Sequence, residues 1–116
     1  MAIVGVGVDL VDINRFREKL RETEGLLERL FAPAERGLSD QSLAARFAAK
    51  EALIKALGSS DGLSWVEIEI PKNDSRPEFV FSGVTSKSIA DLNLSLHLSL
   101  SHDGGFATAT VIAERA

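Results

Sequence analysis

Fifteen consecutive residues, Leu43 to Leu57, include eleven apolar side chains. At about 3.6 residues per helical turn these point in nearly every direction around the axis. Such a helix cannot lie on a surface with one apolar stripe turned inward. It has to be covered on most sides by the rest of a 116-residue chain, which places it at the centre of the only core a chain of this length can build. Ser39 or Asp40 is in position to cap its start, and Gly58 stands where a left-handed residue ends a helix.

The flanking segments supply the cover. Ile3 to Ile13 is β-branched and apolar and reads as a first strand, with Gly5, Gly7 and Asp9 on one face by alternation. From Asn14, a potential cap, Ile13, Phe16 and Leu20 recur at helical spacing, and Gly25 lies near the expected stop. A loop is expected around Pro33. Leu63–Ile70 and Glu78–Phe81 read as two strands joined by the turn-rich stretch from Pro71 to Pro77, and Gly83–Asp91 as a short helix. The clearest alternation is Leu94, Leu96, Leu98 and Leu100 against Ser95, His97, Ser99 and Ser101, which predicts a strand with one buried face. Asp103-Gly104-Gly105 then turns tightly into a last strand, Phe106–Ala113. The expected fold is an α+β single domain, residues 1–116, with a mainly antiparallel sheet packed on the long buried helix.

A net charge of −4 argues against a general nucleic-acid or membrane-surface binder, since either normally carries a dominant basic field. The absence of cysteine excludes disulfides, thiolate metal sites and a cysteine nucleophile. No basic leader opens the sequence and no apolar run approaches the ~18 residues that span a bilayer. A cytoplasmic protein is expected.

Four charges interrupt the central helix: Arg46, Lys50, Glu51 and Lys55. Helical geometry sets Glu51 beside Lys55 on one side and Arg46 beside Lys50 on another. Charges on a buried helix need partners or ligands, because an unpaired one costs several kcal/mol to remove from water. They are either structural pairs or the poles of a site. Asp9 raises the same question in an apolar strand, where it either binds nearby backbone or serves a site. Gly5 and Gly7 beside it leave room for a backbone or a ligand to come close. If the strand packs on the Glu51 side of the helix, two carboxylates and one ammonium converge. One or two carboxylates with waters and substrate phosphates are the ordinary way to hold Mg²⁺.

Two other motifs lead nowhere. Gly5-Val6-Gly7-Val8-Asp9-Leu10 starts like a dinucleotide fingerprint, but Leu10 occupies the third glycine position and no helix opens there. Ser101-His102-Asp103 has the residue types of a hydrolase triad, but strand neighbours point to opposite faces and cannot form the relay. His102 continues the parity of the leucine stripe and is placed either to stay buried or to face a phosphate. His97 falls on the solvated face.

Three stretches, taken together, resemble the holo-acyl-carrier-protein synthases, the small trimeric class of the 4'-phosphopantetheinyl transferase superfamily. They are Gly5 to Ile13 followed by Arg15-Phe16, the helix Arg46-Phe47-Ala48-Ala49-Lys50-Glu51-Ala52-Leu53-Ile54-Lys55-Ala56-Leu57-Gly58, and Leu98 to Asp103 followed by Ala107–Ile112. The resemblance spans nearly the whole chain. It implies Mg²⁺ held by Asp9 and Glu51, with Lys55 reaching the coenzyme A pyrophosphate as a third catalytic residue. It further implies that Arg46 and His102 contact coenzyme A phosphates, that Arg76 and Pro77 lie near the adenine, and that Arg15 faces the carrier protein. Ser75 stands where the family usually has glycine before that Arg-Pro pair. Homotrimers with active sites between subunits are implied as well.

The implied reaction is attack of a carrier serine on the β-phosphate of coenzyme A with departure of 3',5'-ADP, for fatty acid synthesis. Glu51 is then a candidate base. Arg15, Arg17, Lys19 and Arg21 against Glu18 form a basic run suited to an acidic carrier. Two other functions use the same residues: a Mg²⁺-dependent phosphohydrolase, and a coenzyme A-binding trimeric scaffold without turnover.

Overall fold

The computed structural model describes residues 1–116. It is built on strand β1 (Ala2–Asp12), helix α1 (Ile13–Glu22), a short helix α2 (Leu26–Leu30), a 3-10 turn at Pro33–Glu35, and the long helix α3 (Asp40–Leu57). A second 3-10 turn at Trp65–Glu67 leads into β2 (Ile68–Glu69). Then follow β3 (Val80–Phe81), α4 (Gly83–Leu92), β4 (Ser95–Asp103) and β5 (Phe106–Arg115).

The main sheet is antiparallel throughout, in the order β1-β5-β4, and β2 pairs with β3 in a separate two-stranded ribbon. Helix α3 lies across the inner face of the main sheet. Small residues on both sides allow the approach: Ala107, Ala109 and Ala113 of β5 are buried against a helix that buries Ala44, Ala45, Ala48, Ala49, Ala52 and Ala56. Gly5 and Gly7 meet the helix backbone itself, for a Cβ at either would collide with the carbonyl oxygen of Ala56 or Ala52. The glycines are therefore occupied by helix backbone and not by a ligand. Leu96, Leu98 and Leu100 pack on the same core from β4, half-buried.

The opposite face of β1 is different. Val6, Val8 and Leu10 are 58%, 51% and 63% exposed, an apolar stripe with nothing over it in the single chain. Register places Val6 beside Ile112 and His97, and Val8 beside Thr110 and Ser99.

Several local expectations are corrected. Helix α1 begins two residues earlier than a cap at Asn14 suggested, because Asp12 is its cap: the Asp12 carboxylate accepts from Arg15 N at 3.0 Å. It ends at Glu22, and Gly25 (φ 77°) opens α2 rather than closing α1. The supposed loop around Pro33 contains α2 and a 3-10 turn. The strands expected over Leu63–Ile70 and Glu78–Phe81 shrink to two residues each. Trp65 has turned out of strand geometry to stack on Phe47 at 5.5 Å, and Phe47 in turn meets Phe16 at 4.8 Å. Ser39 caps α3 by accepting from Ser42 N, Gly58 closes it at φ 79°, and Gly104 and Gly105 supply the two positive φ angles of the final hairpin.

Candidate functional site

Asp9 and Glu51 come together as the alternation of β1 and the packing of α3 require. Asp9 points to the helix side of its strand, and Glu51 points back from the middle of α3. Both line a groove of about 500 Å³ whose walls include Asp12, Arg15, Phe16, Lys19, Leu30 and Phe47. Burial raises the Glu51 pKa above the usual carboxylate range, and the negative charge of Asp9 raises it further, while Lys55 draws it partly back. Lys55, one turn along, does not hydrogen-bond Glu51. Its ammonium donates to Val8 O at 2.9 Å and to Asp9 Oδ1 at 3.1 Å.

The other predicted residues occupy a different surface. Arg46 is 7% exposed and donates from Nε to Ile70 O at 2.8 Å and from a terminal nitrogen to Ser42 O at 3.2 Å. It lines one hollow with Lys72, Ser75 and Pro77, and a neighbouring one with Gln41, Ser101 and His102. His102 is exposed, not buried, with its Nε2 3.0 Å from the Gln41 side-chain amide nitrogen. Arg76 is exposed and stands outside both hollows. In the basic run of α1, Arg15, Lys19 and Arg21 are exposed, but Arg17 is half-buried and its Nε is sealed from solvent without a partner.

One buried carboxylate was not foreseen from the sequence. Glu35, 2% exposed, is the counter-ion of the helix cations. Lys50, fully buried, donates to Glu35 Oε1 at 2.7 Å and to the carbonyls of Leu30 (2.9 Å) and Trp65 (3.2 Å), and lies over the Phe31 ring. Arg46 Nε lies 3.9 Å from Glu35 Oε2. Lys50 and Arg46 are thus joined through a carboxylate that lies outside α3. The only hint in the sequence was two cations four residues apart on a buried helix with no acid beside them.

Comparison with known proteins identifies the family and the fold. The model of the 4'-phosphopantetheinyl transferase superfamily matches residues 5–111. The holo-acyl-carrier-protein synthase of Leifsonia xyli is 51% identical over 115 residues, 97% of this chain and 98% of its own. Among solved structures, the synthase–coenzyme A complex described as from Chronobacterium ammoniagenes superposes with a TM-score of 0.86 at 32% identity, over 100% of this chain and 99% of its own. The Neisseria meningitidis holo-acyl-carrier-protein synthase gives 0.88 at 30% identity, over 98% and 100%. With a matching family model, a relative half identical over nearly full length, and the same α+β fold, this chain belongs to the 4'-phosphopantetheinyl transferase superfamily, among its holo-acyl-carrier-protein synthases.

Proposed function

We propose that this protein transfers 4'-phosphopantetheine from coenzyme A to a serine of an apo-acyl carrier protein, releasing 3',5'-ADP, in the cytoplasm and in support of fatty acid synthesis. The observation that carries this reading is the convergence of Asp9 and Glu51 at one groove, with Lys55 paired to Asp9 at 3.1 Å, in a chain 51% identical to a holo-acyl-carrier-protein synthase.

The donor set fits Mg²⁺. Two carboxylates face one space, one raising the pKa of the other, and only one of them is paired with a cation. No third acidic or histidine ligand joins them, which suits an ion that keeps several waters and takes substrate phosphates. Asp9 and Glu51 would hold it, and when bound it neutralises charge on the pyrophosphate. The side chains do the rest. Lys55 spends two of its three N–H donors on Val8 O and Asp9 and keeps one for a pyrophosphate oxygen as charge moves to the leaving 3',5'-ADP. Glu51 is also placed as the candidate proton acceptor for the carrier serine, directly or through one water.

The nucleotide end of coenzyme A is assigned to Arg46, His102, Arg76 and Pro77. Within one chain these stand on a different surface from Asp9 and Glu51, and the apolar stripe of β1 is uncovered. Both facts support a homotrimer in which each active site forms between two copies. Arg15 and Lys19, on the wall of the groove that holds Asp9 and Glu51, suit the docking of an acidic carrier.

Intact mass of an apo-acyl carrier protein incubated with the enzyme, coenzyme A and Mg²⁺ tests the reading. The carrier should gain one phosphopantetheine as an equal amount of 3',5'-ADP appears. Coenzyme A cleavage without carrier modification would favour a phosphohydrolase, and binding without either product would leave a scaffold.

A further inference from the structure

We infer that Glu35 is a positioning residue for coenzyme A: it fixes the orientation of Arg46 and the root of the Ile70–Pro77 segment, and so sets the grip on the nucleotide end. This rests on the assignment of Arg46 to that end.

Both Glu35 oxygens are fully engaged. Oε1 accepts from Ala32 N at 2.9 Å and from Lys50 Nζ at 2.7 Å; Oε2 accepts from Ile70 N at 3.0 Å and faces Arg46 Nε at 3.9 Å. Arg46 Nε in turn donates to Ile70 O. Ile70 is therefore held at its N–H by Glu35 and at its carbonyl by Arg46. The next residue, Pro71, has a ring-fixed φ that carries this direction into the chain beyond. From Lys72 to Arg76 every residue is exposed, and the side-chain hydrogen bonds there are local ones from Ser75 to Asn73. The course of the segment past Arg46 is thus set at Ile70.

Arg46, together with Ser42 and Leu100, lines both the hollow under that segment, about 250 Å³, and the hollow beside His102, about 180 Å³, and it is the one charged residue they share. Glu35 lines neither, nor the Asp9–Glu51 groove, so it can act on a ligand only through Arg46 and Ile70. Stability alone gives little reason for the arrangement, since a buried ion pair replaced by apolar groups of similar volume is often neutral or stabilising. Holding one guanidinium and one backbone segment in register does require a carboxylate that reaches both.

The test uses Glu35→Gln and a double variant, Glu35→Gln with Lys50→Met, which removes the buried pair together and guards against loss of the fold. Arg46→Ala serves as reference, and calorimetric titration with 3',5'-ADP is the readout, beside steady-state kinetics. The expected result is a Kd for 3',5'-ADP and a KM for coenzyme A raised about tenfold, with kcat and the carrier KM within about twofold. In the unmutated protein the Arg46 Nε–H should be protected from exchange and shift in the nitrogen–proton spectrum when 3',5'-ADP is added. Unchanged Kd in the folded Glu35 variants alongside a raised Kd in Arg46→Ala overturns the role of Glu35 alone. Unchanged Kd in all of them overturns the assignment of Arg46 and the inference with it. A fall in kcat at unchanged Kd, or a freely exchanging Arg46 Nε–H, likewise overturns the inference.

Discussion

The ammonium of Lys55 lies 3.1 Å from Asp9 Oδ1, while Glu51, one turn earlier on the same helix, has no ion-pair partner. A single cation thus serves two carboxylates, and the uncompensated charge falls on Glu51. At 52% side-chain exposure for Lys55 the pair itself contributes little to stability. Its value lies in where it leaves charge.

That imbalance predicts the metal response. Asp9→Asn and Glu51→Gln should each keep the fold, lose the rise in melting temperature that Mg²⁺ gives the unmutated protein, and lose nearly all transfer. Ligand-linked stabilisation is about 2.7 kcal/mol at a hundredfold excess over Kd, which a thermal melt resolves readily. A variant that melts normally, responds to Mg²⁺ and turns over at limiting metal would show that the ion sits elsewhere.

A second prediction separates Lys55 from Arg46. Lys55→Ala should lower kcat more than it raises the KM for coenzyme A, because its contact strengthens as charge builds on the pyrophosphate. Arg46→Ala should mainly raise that KM. It should also lower stability by about 1–3 kcal/mol, because Ile70 O loses its donor and the buried Glu35 a neighbouring cation. Equal kinetic profiles for the two variants would remove the division of labour.

Glu67 gives a pH dependence of known sign. Its carboxylate accepts from the hydroxyl of Thr85 at 2.8 Å and from Thr85 N at 3.1 Å at the first turn of α4, and these bonds hold its pKa below the usual carboxylate value. A group with a depressed folded pKa adds stability above its ordinary pKa and loses it as pH falls through the folded one. Glu51 has the opposite sign, stabilising below its ordinary pKa and losing that as pH rises through its raised one. Melts from neutral to acid pH should therefore show an acid-side loss that Glu67→Gln removes, and Glu51→Gln should instead raise metal-free stability near neutrality. An unchanged acid limb in Glu67→Gln would refute the first assignment.

Much of this site was legible because its logic is local. The apolar girth of Leu43–Leu57 demanded burial, and strand parity put Gly5, Gly7 and Asp9 toward whatever covered them, so Asp9 and Glu51 would meet if β1 packed on the Glu51 side of α3, as it does. The Glu35 cluster was not legible, because the acid that pairs Lys50 lies 15 residues away in an irregular turn and nothing periodic marks it. Spacing along α3 had set Glu51 beside Lys55, yet Asp9 on β1 takes the hydrogen bond. The short β2 and β3 were over-extended for a similar reason. Trp65 is β-prone by type, but its ring is claimed by Phe47 and the backbone follows.

The exposed stripe of Val6, Val8 and Leu10 predicts assembly. Sedimentation equilibrium at micromolar concentration should give a trimer, and Val8→Asp should give folded monomers with little activity, since a desolvated charge opposes an apolar contact. Full activity in a monomeric sample would contradict sites formed between subunits.

The remaining prediction concerns carrier recognition. The enzyme carries a net charge of −4, and an acidic partner would be repelled at long range unless local charge reverses the field. Helix α1 offers that reversal less broadly than its sequence implied, because Arg17 is half-buried with its Nε sealed, and Glu18 and Glu22 oppose the three exposed cations. Arg15 and Lys19 are four residues apart on one face and line the groove beside Glu51, so the proposed steering is expected to rest on them, with Arg21 further along the helix. Arg15→Glu should leave the cap intact, since Asp12 accepts from the backbone of residue 15, and the fold should be unaffected. It should raise the carrier KM strongly, leave coenzyme A binding nearly untouched, and flatten the salt dependence of association, because screening acts on such contacts over about 8–10 Å. Arg17→Glu should cost stability more than carrier affinity, for its side chain is partly withdrawn from solvent. An unchanged carrier KM for Arg15→Glu at low ionic strength would mean that the carrier docks on another face.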